Sequence, residues 1–161
     1  VDHPGFIEGC AAQISQAVPD LSADDALILT AHAIPEPVEV TSQYRQQFIE
    51  TSQLIADKLG QSEHHIAFQS APDGPGVKWS TPDVLDVMKD LAAKGAKRFV
   101  LQAAGFLVDH TEVTFDLDVE AKELAAELGV EFVRAPCVHS HPSFIAALAD
   151  RVEAVLENQP A

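Results

Sequence analysis

Apolar and polar positions along the chain switch between a strand-like and a helix-like period, and the switches divide it into elements. A short apolar run at 26–30 reads as a buried strand, and residues 42–59 carry Phe48, Ile49, Ile55 and Leu59 at helical spacing until Gly60 stops them. A second short strand is expected at 65–69. The Pro- and Gly-rich turn 71–76 then leads past Trp79 to Ser80-Thr81-Pro82-Asp83, a helix-start signal, and Val84, Leu85, Val87, Met88 and Leu91 line one face as far as Gly95. An apolar run at 98–104, a helix ending at Leu128 and Gly129, a fourth strand at 130–135 and a closing helix complete the chain. Alternation of this kind with short connections predicts an α/β domain over residues 1–161, with a four-stranded parallel sheet and helices on both faces.

One repeat cuts across this alternation, because His3-Pro4-Gly5-Phe6-Ile7 returns as His141-Pro142-Ser143-Phe144-Ile145. Each copy opens a helical pattern with proline in the first turn, where a missing N–H costs nothing. The same register pairs Ala11 with Ala149, Ile14 with Val152 and Val18 with Leu156. Two copies so far apart are no solenoid period. They suggest that the chain starts where one α/β unit ends and that a preceding unit stood upstream, in keeping with the absence of an initiating Met.

Size and composition narrow the function classes. The 161 residues, 47% of them hydrophobic, fit one domain with an ample core. No apolar run approaches the roughly 20 residues of a membrane span, and the N-terminus has no basic stretch followed by a hydrophobic one, so a soluble, cytoplasmic chain is expected. A formal charge of −15 with scattered Lys and Arg argues against nucleic acid and favours metal cations or a positively charged partner. Cys10 and Cys137 lack C-x-x-C spacing and read as two buried thiols in a reducing compartment.

Candidate chemistry concentrates in Gly105-Phe106-Leu107-Val108-Asp109-His110-Thr111-Glu112, which follows the third strand and opens an acidic helical segment. Ligands of open α/β sheets bind at such carboxyl ends, and a histidine with two carboxylates suits metal handling and proton transfer. Helix capping asks for the same residues, since Asp109 as N-cap with Glu112 three residues on makes a variant of the capping box. His32, in a loop held out of helix by Pro35, is either a structural histidine bonded to a carbonyl or a second member of the same crevice. Glu112, Asp116 and Glu120 are spaced four apart along one helical face, as either a wet polar face or a path for cations, though like charges at that spacing cost a helix about 0.2–0.5 kcal/mol per pair. His64 and His65 point to opposite faces of a strand and make poor joint ligands. His141 is accounted for by the helix start, and His139 is expected to be exposed. No Walker, G-x-G-x-x-G or G-x-S-x-G motif is present.

The chain resembles the C-terminal half of a ferrochelatase, the family that inserts ferrous iron into porphyrins in heme synthesis. Thr30-Ala31-His32-Ala33-Ile34-Pro35 is similar to the family's S-A-H-S-I/L-P, Phe68-Gln69-Ser70 to Y-Q-S, and Val77-Lys78-Trp79-Ser80-Thr81-Pro82-Asp83 to V-x-W-L-x-P-D. The stretch from Gly105 to Glu112 matches G-F-x-S-D-H-x-E, Phe115-Asp116-Leu117-Asp118-Val119-Glu120 matches Y-E-L-D-x-E, and Arg134-Ala135-Pro136 and the closing His-Pro helix follow in order. Val108 stands where the family has serine, and Ala71 where an arginine usually follows Y-Q-S.

The resemblance implies His32 as metal ligand or proton acceptor facing the macrocycle and Glu112 opposite it. It further implies His110 in support and Asp116 and Glu120 continuing an acidic metal path. It implies a porphyrin and divalent iron as substrates and no organic cofactor. A cobalt or nickel chelatase of a sirohydrochlorin-like ring, and a tetrapyrrole- or metal-binding module without catalysis, are the alternatives. Because the family carries the porphyrin between two such domains, a homodimer or a separate N-terminal half is expected, with Phe144, Ile145, Leu148, Val152 and Val155 in the contact.

Overall fold

The sheet grows outward from β1 (Ala26–His32), whose residues are buried almost throughout. In the computed structural model, which describes residues 2–72 and 74–157, β2 (His65–Gln69) pairs with one edge of β1 and β3 (Arg98–Gln102) with the other, and β4 (Glu131–Ala135) adds to β3. Residue 73, inside the turn 71–76, and residues 1 and 158–161 lie outside the described residues. All three pairings are parallel and the order is β2-β1-β3-β4, the expected four-stranded α/β sheet. The chain winds one way from β1 to β2 and returns to the opposite edge for β3, so a topological switch point lies between the carboxyl ends of β1 and β3.

Alternation along β1 divides its side chains between two cores. Leu27, Leu29, Ala31 and Ala33 pack with α1 (Pro4–Ala17), α3 (Tyr44–Leu59) and Phe144. Ala26 and Ile28 pack on the other face with α4 (Val84–Ala93) and with the helix after β3. Each large apolar side chain removed from water contributes about 1.5–3 kcal/mol, and Leu27, Ile28 and Leu29 are all fully buried. The start of α4 matches the sequence signal, with the Asp83 carboxylate accepting the Leu85 N–H at 2.8 Å.

Several boundaries differ from the sequence reading, each for a local reason. β1 runs through His32 instead of ending at Thr30, because Ala31 and His32 keep pairing with Phe68 and Gln69 of β2. His32 is therefore the last residue of a strand and not part of a loop. Residues 33–35 stay out of helix, and Pro35 is the N-cap of a one-turn α2 (Glu36–Glu39). The next helix starts at Tyr44 instead of residue 42, and Ile49 is exposed while Phe48 and Ile55 carry its buried face.

The larger difference follows β3. A single α-helix was expected there, whereas α5 (Thr111–Val113) passes into a π-helix over Thr114–Ala121 and then into α6 (Lys122–Leu128). The capping box is absent: His110 occupies the N-cap position, no side chain caps that turn, and Asp109 points elsewhere.

The two repeat copies meet. Rings of Phe6 and Phe144 pack edge to face with centroids 5.7 Å apart, and the Ser143 hydroxyl donates to Gly5 O at 2.8 Å. A Cβ on Gly5 would lie 2.3 Å from Ser143 O, so only glycine permits this approach of α1 to α7 (Pro142–Glu157). Phe144 was expected to face a partner, yet it is buried against its own chain, and the rest of the expected stripe stays exposed.

Candidate functional site

Gly105 brings the loop after β3 across the end of β1. Its N–H donates to Thr30 O at 2.9 Å, and a Cβ there would stand 2.5 Å from the Ala31 Cβ, so a side chain would lift the loop. Phe106 is thereby set on the same sheet face as His32, with ring centroids 6.1 Å apart, and His110 packs edge to face with Phe106 at 5.1 Å. His32 keeps its backbone in the strand, while the Tyr44 hydroxyl donates to its carbonyl at 2.9 Å. Burial and the nearby Glu39 carboxylate push the Tyr44 phenol above its ordinary range, which keeps it a donor.

The His32 ring is oriented by its own chain. Nδ1 lies 2.5 Å from Ala33 O, and because a carbonyl oxygen can only accept, Nδ1 carries a proton, so that in the neutral ring Nε2 keeps a lone pair. That lone pair faces Glu112 Oε2 at 3.7 Å, with the imidazole about one-third and the carboxylate more than half exposed. In the neutral ring two acceptors face each other there, and the gap suits a cation or a proton.

The π-helix shapes the acidic row. In an α-helix a step of four residues overshoots one turn by about 40°, and the wider i→i+5 closure brings that step nearer to a full turn. Glu112 stands in α5, and Asp116 and Glu120 in the π-helix that continues it. Asp116 is anchored: its Oδ2 accepts from Gln69 Nε2 at 3.1 Å and from the Ser70 hydroxyl. Gln69 Oε1 accepts in turn from Thr30 Oγ1 at 2.7 Å, a bond that fixes which way the amide points. Glu120 is exposed.

Asp109, expected as a helix cap, instead ties the loop to β4 and the segment beyond it. Its Oδ1 accepts from Arg134 Nη1 at 3.0 Å and from the Cys137 N–H at 3.2 Å, and its Oδ2 faces His139 Nε2 at 2.9 Å. Arg134 also grips both oxygens of Asp118 at 2.6 and 2.9 Å. Burial alone would raise the Asp109 carboxyl, but the hydrogen bonds from His139 and Cys137 and the Arg134 charge outweigh it and hold the pKa at about 2. His139, expected to be exposed, is half-buried in this contact.

Of the residues singled out from the sequence, His32 and Glu112 are brought into one pair and His110 is held against Phe106. Asp116 is bound into the Gln69 and Ser70 network. Among the described residues no three His, Cys, Asp or Glu side chains converge into a metal-holding group. His64 and His65 sit at the amino end of β2 beside Asp90 and Lys94, and burial lowers the pKa of both rings. A cavity of about 390 Å³ opens between α1, α3 and α7, lined by Phe6, Tyr44, Phe48, Phe144 and Arg151 among others. It includes Ala31 and so lies on the face opposite His32. Gln69, Ser70, Asp118, Arg134 and His139 were not assigned roles from the sequence, although a polar Gln at the carboxyl end of a buried strand was a usable signal.

The family whose model is described as Ferrochelatase matches residues 1–156. Curated relatives include a ferrochelatase of Rhodopirellula baltica, 35% identical over 94% of this chain and 44% of its own length. A coproporphyrin III ferrochelatase of Anoxybacillus flavithermus is 39% identical over 91% of this chain and 48% of its own, and a ferrochelatase of Thermus thermophilus is 37% identical over 94% and 49%. The chain thus spans about half the length of the curated relatives it matches. Among solved structures, a protein described under cobalamin (vitamin B12) biosynthesis, CbiX of Marinobacter aquaeolei, aligns with a TM-score of 0.55 over 84% of this chain and 99% of its own. At 20% identity that likeness is one of fold alone.

Proposed function

This chain belongs to the ferrochelatase family, and on that footing we propose that it contributes His32 and Glu112 to the insertion of ferrous iron into a porphyrin. The observation that carries the reading is the approach of His32 Nε2 to Glu112 Oε2 at 3.7 Å, with the ring held by the Nδ1 contact to Ala33 O. Insertion exchanges two pyrrole N–H protons for one Fe(II), and the iron keeps its oxidation state. A neutral imidazole, with an ordinary pKa near 6.5, is the side chain suited to take such a proton at neutral pH. The Glu112 carboxylate offers an oxygen ligand to the arriving ion and a second place for a proton. Two donors without a third bind a divalent ion weakly, which suits an ion that must be released into the ring. Metal and ring are the two substrates, and the exchange calls for no organic cofactor.

The reading includes a second α/β unit, either a second copy of this chain or a first half. Ile7, Cys10 and Ile14 of α1 and Val18 at its C-cap are buried; their repeat counterparts in α7, Ile145, Leu148, Val152 and Leu156, are 46–63% exposed. Each such side chain left in water forgoes roughly 1.5–3 kcal/mol. A homologous α/β half with an open groove would cover them as this sheet covers α1. A second copy would present a groove its own α1 already fills, which favours a first half of the kind the family's two-domain members carry. Cys10 and Cys137 are both buried and unpaired, which suits the reducing cytoplasm, and no helix among the described residues is long and apolar enough to cross a membrane.

Anaerobic incubation of the chain with Fe(II) and free-base coproporphyrin or protoporphyrin tests the reading by the change in the porphyrin absorption bands. Conversion above the protein-free rate, with or without an added first half, is expected. Conversion equal to the protein-free rate in both conditions refutes it.

A further inference from the structure

Between β4 and α7 the chain passes through His139 at φ +46°, a left-handed conformation that costs any L-residue other than glycine free energy. Glycine would meet the turn more easily, so the imidazole has to supply something glycine lacks. Its Nε2 stands 2.9 Å from Asp109 Oδ2, and its backbone N–H donates to Leu107 O at 2.9 Å. Two residues earlier the Cys137 N–H donates to Asp109 Oδ1 at 3.2 Å. The Asp109 N–H also lies 3.4 Å from His139 Nε2, so the connection is fastened at four points to the loop that delivers His110 and Glu112, and two of the four run through the Asp109 carboxylate. No side chain caps the turn that begins at Thr111, so this fastening substitutes for a cap in fixing where the helix starts.

We infer that His139 is a positioning residue: through Asp109 it clamps residues 105–112 and so sets Glu112 opposite His32. Its consequence for metal rests on the function proposed above; the clamp itself does not. The groups around the contact are Asp109, Arg134, Asp118 and the Cys137 thiol. Arg134 is held at both oxygens of Asp118 and bonds Asp109 Oδ1 at 3.0 Å, and it keeps those bonds when His139 is changed. The tie of Asp109 to β4 therefore survives, while its side-chain tie to residue 139 is lost.

Two variants of the full chain separate backbone from ring. His139→Gly accepts the left-handed turn without strain and removes the bond to Asp109, whereas His139→Gln restores an N–H donor. Thermal melts check that both fold. Amide hydrogen exchange at Cys137 and Thr114 is expected to speed up on the order of tenfold in the glycine variant, the loss of about one hydrogen bond, and to recover in the glutamine variant. Unchanged exchange in the glycine variant, or no recovery with glutamine, overturns the clamp. Calorimetric titration with Co(II) reads the consequence, with affinity expected to fall about 10- to 100-fold with glycine and to return with glutamine. Looser exchange at unaltered Co(II) affinity overturns the positioning role. If the unmodified chain takes up no Co(II), the metal reading of His32 and Glu112 fails, and the exchange result still decides the clamp.

Discussion

Nε2 of His32 and Oε2 of Glu112 are 3.7 Å apart, too far for a hydrogen bond and close enough for one bound cation to touch both. Neither group is consumed by the fold on that side. The pair is made by two strand ends meeting at a switch point, and its orientation by one carbonyl, Ala33 O.

Glu112 takes no part in a capping box, because His110 is the N-cap and Asp109 is turned toward Arg134. Glu112→Ala and Glu112→Gln are both expected to change stability by no more than about 0.5 kcal/mol, as at other exposed positions, while weakening divalent-metal uptake. Thermal melts and Co(II) titration check this. A loss of stability confined to the alanine variant would restore the capping role.

Asp109 carries the pH dependence of the loop. Its folded pKa of about 2 lies below the roughly 3.9 of an unfolded aspartate. The stability it contributes is therefore present above about pH 4 and lost as pH falls through 2, on the order of 2 kcal/mol. Asp109→Asn is expected to be less stable by about that amount at pH 7 and to converge on the unmodified protein at pH 2. Denaturant midpoints measured from pH 7 down to pH 2 test it, and parallel curves for the two proteins would contradict it.

Much of this architecture could be read from the chain. The strand at 65–69 is where the apolar run ends it, and the period change at Asp83 marks a helix that begins with that residue's cap. His32 and Glu112 were expected to face each other because parallel strands one and three open on one edge. What the sequence concealed was long-range polar pairing. Asp109 satisfies a local capping rule in sequence, but Arg134, twenty-five residues on, competes for the same carboxylate with a charge-assisted bond. The π-helix left no mark in the pattern because Leu117, Ala121 and Ala125 stay buried at the four-residue spacing an α-helix also tolerates. His139 looked exposed because its position depends on a left-handed turn that composition does not announce.

Gly105 is the hinge of the delivery. Gly105→Ala places a Cβ 2.5 Å from the Ala31 Cβ and 2.8 Å from its Cα, and overpacking of this kind costs typically 1–3 kcal/mol. The variant is expected to lose about that much stability and, with the loop displaced, the approach of Glu112 to His32. Adding Ala31→Gly removes the closer clash but leaves the one with the residue 31 backbone, so recovery should be partial. Urea unfolding of the single and double variants reads both effects; a single variant as stable as the parent would mean the loop does not cross β1 as described.

The His32→Ala variant, assayed anaerobically for Fe(II) insertion into coproporphyrin with and without an added first half and melted alongside the parent, tests the central claim most directly. The side chain ends a strand and is about one-third exposed, so the melt should stay close to the parent's. Insertion should disappear while the parent converts the ring. Insertion undiminished without His32, at an unchanged melt, would contradict the account.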